Sequence, residues 1–390
     1  MPQFNFDQIF PRRGFDGYKW NLYPQDILPM WVADSDFKSP QQVIDALANR
    51  VEHGIFGYTL PNDLAFGEAA ARWVKVRFGW EANPAWVEYS PGVCAALSLC
   101  VNAFSNPGDD VVMLTPVYPP FFTTVSNNGR NPISSSLLLQ KGSYEIDFED
   151  LEKKLARPRA RMLFLCNPHN PTGRVFTQAE LLAIGELCLK HKIIVISDEI
   201  HCDYVYAGHK HIPFPSLSKE LAEISLVAIS PSKTFNIADM HTAAVLSASP
   251  SLLARYRAAS SNANLGRHSL GIIAFTTAYN QCDAYADAVL RYVHANLEFA
   301  VSYIKEHIPE IKSYMPQSTY LLWLNCSGLG FASQDDLLNF FLKEAKVALN
   351  SGTDYGVEGK QFMRINLACP RKLVEEGLSR IAKAVRAKYK

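Results

Sequence analysis

From about residue 40 the chain alternates between helical and strand-like hydrophobic periods. Short apolar runs at 111–115, 161–166, 193–197 and 226–230 have the length of buried strands, and turn or polar residues bound each one. A helical stretch over 178–190 separates the second run from the third. Residues 92–104 read as a largely buried helix, closed by Asn106, Pro107 and Gly108. Ser39 before Pro40 predicts a helix N-cap with proline in the first helical position. Strands alternating with helices argue for an α/β domain with a mostly parallel sheet.

The two ends differ from this pattern. The first ~40 residues are crowded with Phe, Trp, Tyr and Pro, which predicts an irregular arm packed on a surface. The last third carries a helical stretch at about 280–307, strand-like runs at 319–325 and 362–367, and helices at 335–346 and 371–388. That mixture predicts a smaller α+β lobe, which the arm joins because chain ends often lie close together. The expected domains are an arm and part of the small domain over 1–44, a large domain over 45–280 and a small C-terminal domain over 281–390.

Composition narrows the classes. A chain of 390 residues holds two or three domains. Lys+Arg and Asp+Glu balance at 38 each, so no net charge calls for nucleic acid or a membrane surface. With 48% hydrophobic and 19% charged residues the chain is expected to be globular. No apolar run reaches the ~18 residues of a membrane span. The start, Met1 to Asp7, has neither a basic nor an apolar leader region. Eight scattered cysteines with no Cys-x-x-Cys pair argue against zinc or a disulfide framework. They fit reduced, mostly buried thiols in a cytoplasmic protein.

Open α/β sheets bind ligands beyond the carboxyl ends of their strands. The unusual polar residues fall there. Cys166 is followed by Asn167-Pro168-His169-Asn170-Pro171-Thr172-Gly173, Ser197 by Asp198-Glu199-Ile200-His201, and Ile229 by Ser230-Pro231-Ser232-Lys233. Each segment alone is turn chemistry. Three of them leaving three parallel strands converge on one crevice.

These three segments, in this order and spacing, resemble the fold type I pyridoxal-phosphate (PLP) enzymes of the aspartate-aminotransferase superfamily. Further segments resemble the MalY/PatB branch of cystathionine β-lyases, or C–S lyases. They are Trp-Val-Ala-Asp-Ser-Asp-Phe at 31–37, His-Gly-Ile-Phe-Gly-Tyr at 53–58, Asp-Glu-Ile-His at 198–201, Lys-Thr-Phe-Asn at 233–236, Gln-Ser-Thr-Tyr at 317–320 and Arg-Ile-Asn-Leu-Ala-Cys-Pro-Arg at 364–371. The resemblance runs from about residue 4 to about 388. It implies a large domain with a mostly parallel sheet between helices, a smaller α+β domain, and PLP as cofactor.

The resemblance assigns roles that the chemistry of the residues suits. A PLP enzyme needs an amine to hold the cofactor as a Schiff base, and Lys233 is that amine. A buried carboxylate keeps the cofactor's ring nitrogen protonated, and Asp198 takes this place. Asn170 matches the asparagine that donates to the ring 3-oxygen. His201 stands where many aminotransferases carry a tyrosine with the same role. Tyr118 matches the aromatic residue stacked on the ring. Gly92, Val93 and Cys94 open a helix whose free N–H groups suit the phosphate. Ser230 and Ser232 match phosphate-contacting hydroxyls, and Tyr58 matches a tyrosine reaching the phosphate from a second subunit, which implies a homodimer. Arg364, a lone cation in an apolar run, matches the fork that binds the substrate α-carboxylate.

One position departs from the pattern. Eight residues past the lysine, many superfamily aminotransferases carry an arginine that pairs with the phosphate; here it is His241. The departure counts against a plain aminotransferase. His201, His209 and His211 have no acidic or cysteine ligand at metal spacing, so no metal is expected. The function implied is C–S β-elimination on L-cystathionine, cysteine or a related S-substituted L-cysteine, with the amino acid as the small-molecule partner. The alternatives are a class I/II aminotransferase and a PLP-holding regulatory protein.

Overall fold

A computed structural model describes residues 4–60 and 64–389. Met1, Pro2 and Gln3, part of the start read above for a leader, lie outside the described residues. Seven strands form the central sheet: β1 (Val87–Ser90), β2 (Asp110–Thr115), β3 (Asn131–Ser136), β4 (Ala160–Cys166), β5 (Ile194–Asp198), β6 (Ser225–Ile229) and β7 (Ala243–Leu246). Their order is β1-β7-β6-β5-β4-β2-β3. Neighbours from β6 to β3 pair in parallel, and β7 runs antiparallel to both its neighbours. Strands β2 and β6 are buried along their whole length, as expected where helices cover both faces. Two core clusters reflect this: Val111, Met113, Phe164 and Ile196 belong to one, and Val112, Leu114, Leu163 and Val195 to the other.

A four-stranded antiparallel sheet forms the second layer, from β8 (Lys312–Ser313), β9 (Leu321–Asn325), β10 (Asn350–Ser351) and β11 (Phe362–Asn366), in the order β8-β9-β11-β10. The arm packs here: Leu28 and Pro29 pair in parallel with Val347 and Ala348, and Asn366 N–H donates to Met30 O at 2.9 Å.

Several predicted boundaries shift for local reasons. The first long helix, α1 (Gln41–Glu52), has Pro40 as its N-cap. Ser39 does not cap it, because its hydroxyl donates to Asn236 O at 3.2 Å. The strand expected from residue 193 starts at Ile194, since Ile193 N–H still serves the end of the preceding helix by donating to Cys188 O. Thr319 lies at φ +66°, outside strand geometry, so β9 begins at Leu321. The long helical stretch expected at about 280–307 is the helix Asp283–His307, separated at Cys282 from a helix over Ser269–Gln281. The helix expected over 335–346 is α-helical over Gln334–Asn339 and then widens into a π-helical turn over Phe340–Glu344. The helices expected at 92–104 and 178–190 are Val93–Phe104, labelled α2, and Gln178–His191. The latter starts in a full capping box between Thr177 and Glu180.

Candidate active site

Backbone bonds lock the loops that leave β4, β5 and β6 into one frame. Asn167 N–H donates to Asp198 O at 3.0 Å, and Glu199 N–H to Ala228 O at 3.0 Å, so the sheet ladder continues past the strand ends. The turn after β6 is held by Ser230, whose hydroxyl donates to Thr242 O at 2.7 Å and accepts from Ser232 N–H at 3.2 Å. The proton of Ser230, a residue expected among the phosphate contacts, is thus committed within the protein.

These loops enclose a cavity of about 280 Å³. Its wall holds Gly92, Val93, Cys94, Tyr118, Asn170, Asp198, His201, Ser230, Ser232 and Lys233, ten of the twelve residues singled out in the sequence. Arg364 lies beside it, donating from Nη1 to Asn170 Oδ1 at 3.0 Å. Tyr58 stands apart, fully exposed on the single chain and outside the cavity wall. His241 lines the cavity with its side chain 70% exposed and only a long contact, 3.8 Å, to Asp239.

The charges are matched to burial. Lys233 Nζ donates to Ala33 O at 2.8 Å. Burial lowers the pKa of this ammonium, Asp34 pulls it back up, and Arg364 pushes it down again. Asp198 is buried and accepts from Ile200 N–H at 3.1 Å. Burial raises its pKa from the ordinary 3.8 to about 7, against the opposing pull of Ile200 N–H and Lys233. His201 is pushed down to about 3, first by burial and then by the charges of Lys233 and Arg364, so its ring is neutral. Its Nδ1 is buried without a hydrogen-bond partner. Tyr118 carries its hydroxyl 4.0 Å from Cys94 Sγ, and burial raises the phenol's pKa.

This arrangement fits PLP. The buried Asp198 carboxylate has no ion-pair partner among the described residues, and a protonated ring nitrogen is the cation it lacks. The unpartnered His201 Nδ1 marks a polar group still to be satisfied. Also on the cavity wall, α2 starts behind Gly92, which sits at φ +101° with open space where a Cβ would be. The first-turn N–H groups of that helix have no intrahelical acceptor, and Val93 and Cys94 line the cavity, so they would suit a phosphate.

The sequence reading missed three participants. Ala33 supplies the carbonyl that holds Lys233 and also accepts from Tyr320 at 3.0 Å. Asn350 Oδ1 accepts from Arg364 Nη2 at 2.6 Å, and Trp31 O from the same nitrogen at 3.0 Å. Ala33 and Trp31 lie in the 31–37 segment that carried the resemblance; nothing local marks Asn350. His211 Nε2 lies 2.7 Å from the buried Glu199 carboxylate, which also accepts from Ser197 Oγ and Phe214 N–H.

A mostly parallel sheet with a lysine, a buried carboxylate and a helix N-terminus beside one cavity at its carboxyl edge fits a fold type I PLP-dependent protein. The class I and II aminotransferase family model matches residues 26–381, and the chain belongs to this family, within the branch of PatB and MalY. Cystathionine β-lyase PatB of Bacillus subtilis is 42% identical, covering 98% of this chain and 100% of that one. Protein MalY of Escherichia coli is 33% identical, covering 98% and 99%. Among solved structures, cystalysin from Treponema denticola, which contains a pyridoxal 5′-phosphate cofactor, superimposes with a TM-score of 0.95 at 31% identity, covering 99% of this chain and 100% of that chain.

Proposed function

We infer that the protein is a PLP-dependent carbon–sulfur β-lyase. Its substrates are L-cystathionine, cysteine or related S-substituted L-cysteines, which with one water give a thiol, pyruvate and ammonia. The observation that carries this reading is the 42% identity to a cystathionine β-lyase across the full length of both chains, on a site that gathers Lys233 and Asp198 in one cavity.

When bound, PLP supplies an aldehyde that condenses with amines and a cationic ring that draws away the electron pair left at Cα. The protein's residues do the rest. Lys233 Nζ holds the cofactor and, once freed, takes the Cα proton of the substrate. Burial favours its neutral form, the form a base needs. Asp198 would keep a proton on the ring nitrogen, and Asn170 and His201, on the same cavity wall, would hold the ring oxygen. Tyr118 would stack on the ring. Val93, Cys94 and Ser232 would hold the phosphate, with Ser230 bracing the turn that presents Ser232. Arg364 grips the substrate α-carboxylate, which fixes Cα in reach of Lys233.

The active unit proposed is a homodimer in which Tyr58 reaches the phosphate of the partner's site. An apolar strip supports this, since Val51, Ile55, Phe56, Tyr58 and Leu60 are all exposed on the single chain. Tyr58→Phe then weakens PLP retention without disturbing the fold. The domain division proposed is 1–44, 45–280 and 281–390, supported by a seven-stranded sheet confined to the second segment and a four-stranded one confined to the third. No helix among the described residues is long and apolar enough to cross a membrane. Eight unpaired cysteines support a cytoplasmic setting.

The decisive assay supplies L-cystathionine without a keto-acid acceptor and follows pyruvate and thiol. Steady release of both is expected. Product formed only after an acceptor is added overturns the lyase in favour of an aminotransferase, and turnover near background favours a PLP-holding regulatory protein.

A further inference from the structure

Beside the cavity at Lys233 lies a second chamber of about 650 Å³, which shares Ala33, Lys233, Ala238 and His241 with it as wall residues. One side of this chamber is apolar. Val43, Ile44 and Leu47, at helical spacing, come from a single face of α1. At the rim stand Arg12 and Asp34, 3.3 Å apart, with side chains 24% and 30% exposed.

This pair differs from the ion pairs beside it. Asp36 is buried and receives Lys19 Nζ at 2.7 Å, Trp20 Nε1 at 2.7 Å and Arg12 Nη1 at 2.9 Å. Lys19 is itself buried and already neutralises Asp36. Arg12 therefore has Asp34 as its own countercharge, through the longest contact of the cluster. Asp34 is also the largest charge supporting the Lys233 ammonium. One cation and one anion, weakly engaged with each other, thus border a chamber that begins at the reacting lysine.

We propose that this chamber receives the thiol half of the substrate, and that Arg12 and Asp34 read a zwitterionic head at its far end, Arg12 the carboxylate and Asp34 the ammonium. The proposal rests on the C–S lyase reading and adds what sits on sulfur: a substituent ending in a second amino-acid group, as in L-cystathionine or L-cystine. A partly exposed ion pair at 3.3 Å is worth little in water, so exchanging it for two charge-assisted bonds to the substrate costs little. The methylenes between sulfur and the head lie along Val43, Ile44 and Leu47. A methyl substituent reaches neither charge.

The test compares L-cystathionine with S-methyl-L-cysteine on the holoenzyme, using wild type, Arg12→Gln, Arg12→Lys and Asp34→Asn. Wild type is expected to favour L-cystathionine. The ratio of the two kcat/KM values falls about tenfold or more in Arg12→Gln and in Asp34→Asn, mainly through KM for L-cystathionine, and Arg12→Lys restores part of it. Asp34→Asn also shifts the pH profile for both substrates, because it weakens support of Lys233; the ratio cancels that effect. Asp34→Asn is isosteric and partly exposed, so the proposal stands or falls on it even if the arginine variants do not fold. A ratio unchanged from wild type, or both substrates declining together, overturns the proposal. Wild type releasing no pyruvate from either substrate removes the lyase reading itself, a separate failure.

Discussion

Arg364 Nη1 donates to Asn170 Oδ1 across 3.0 Å, joining residues 194 positions apart in sequence. The bond ties β11 of the small sheet to the loop leaving β4 of the large one. The other polar partners of this guanidinium are Trp31 O and Asn350 Oδ1, and the Tyr355 ring lies 5.1 Å from its carbon. All are neutral, and Arg364 is buried with no ion-pair partner among the described residues. A buried cation held by neutral groups on two layers suits the proposed role of gripping the substrate α-carboxylate.

Arg364→Lys therefore separates charge from shape. An ammonium keeps the charge but cannot make two parallel bonds to a carboxylate while also reaching Asn170, Trp31 and Asn350. KM for L-cystathionine is expected to rise about 10- to 100-fold, the range of one lost charged hydrogen bond. Steady-state kinetics check this. An unchanged KM would mean that the α-carboxylate binds elsewhere.

Asp198 gives a pH signature in the protein freed of cofactor. Its pKa rises from 3.8 to about 7 on folding because the carboxyl is buried. Between those values the folded chain holds a proton that the unfolded chain has lost. Stability of the cofactor-free protein therefore falls as pH rises through this window, and the penalty is complete above about 7. Asparagine cannot ionise. Cofactor-free Asp198→Asn should lose that slope and melt higher than wild type above neutral pH, while the holoenzyme variant loses most of its lyase activity. Thermal melts on both sides of the window decide it; equal slopes would remove Asp198 as the source.

Lys233→Ala should abolish the visible absorption of lysine-bound cofactor together with pyruvate release. Borohydride treatment of wild type saturated with PLP should leave a cofactor adduct on the peptide containing residue 233, read by mass spectrometry. An adduct on another lysine would move the catalytic amine.

The reach of sequence reading follows from what is local. Asn170, Asp198 and Lys233 were legible because each lies within a few residues of a strand end, where the α/β fold gathers ligands. The Ala33 carbonyl that holds Lys233 was not, because the contact spans 200 positions and uses backbone, which carries no residue signature. Asn350 acquires its role only through the pairing that sets it opposite Arg364. Ser39 has the composition of a cap, yet a tertiary bond to Asn236 claims its hydroxyl. Tyr58 stands exposed and outside the cavity on the single chain, and its expected role belongs to the proposed dimer.

The turn over residues 352–359 offers a test of how tightly the site is framed from below. It carries Tyr355 against Arg364, and Val117 N–H, next to Tyr118, donates to Tyr355 O at 2.8 Å. Glu358 accepts from Thr115 Oγ1 at 2.6 Å, so the turn grips the end of β2 as well. Its two ends pass at glycines: a Cβ on Gly359 would lie 1.8 Å from Gly352 O, a backbone atom that cannot swing away. Gly359→Ala must push the strands of the turn apart. We expect a loss of about 1–3 kcal/mol in unfolding free energy, the usual range for forcing atoms into a packed site, and a rise in KM as Tyr355 and Arg364 shift. Val357→Ala, in the same turn but with its side chain in solvent, should change stability by less than about 0.5 kcal/mol. Denaturant unfolding alongside kinetics on both variants checks this. If Gly359→Ala loses stability with KM unchanged, the turn supports the fold but does not position Arg364.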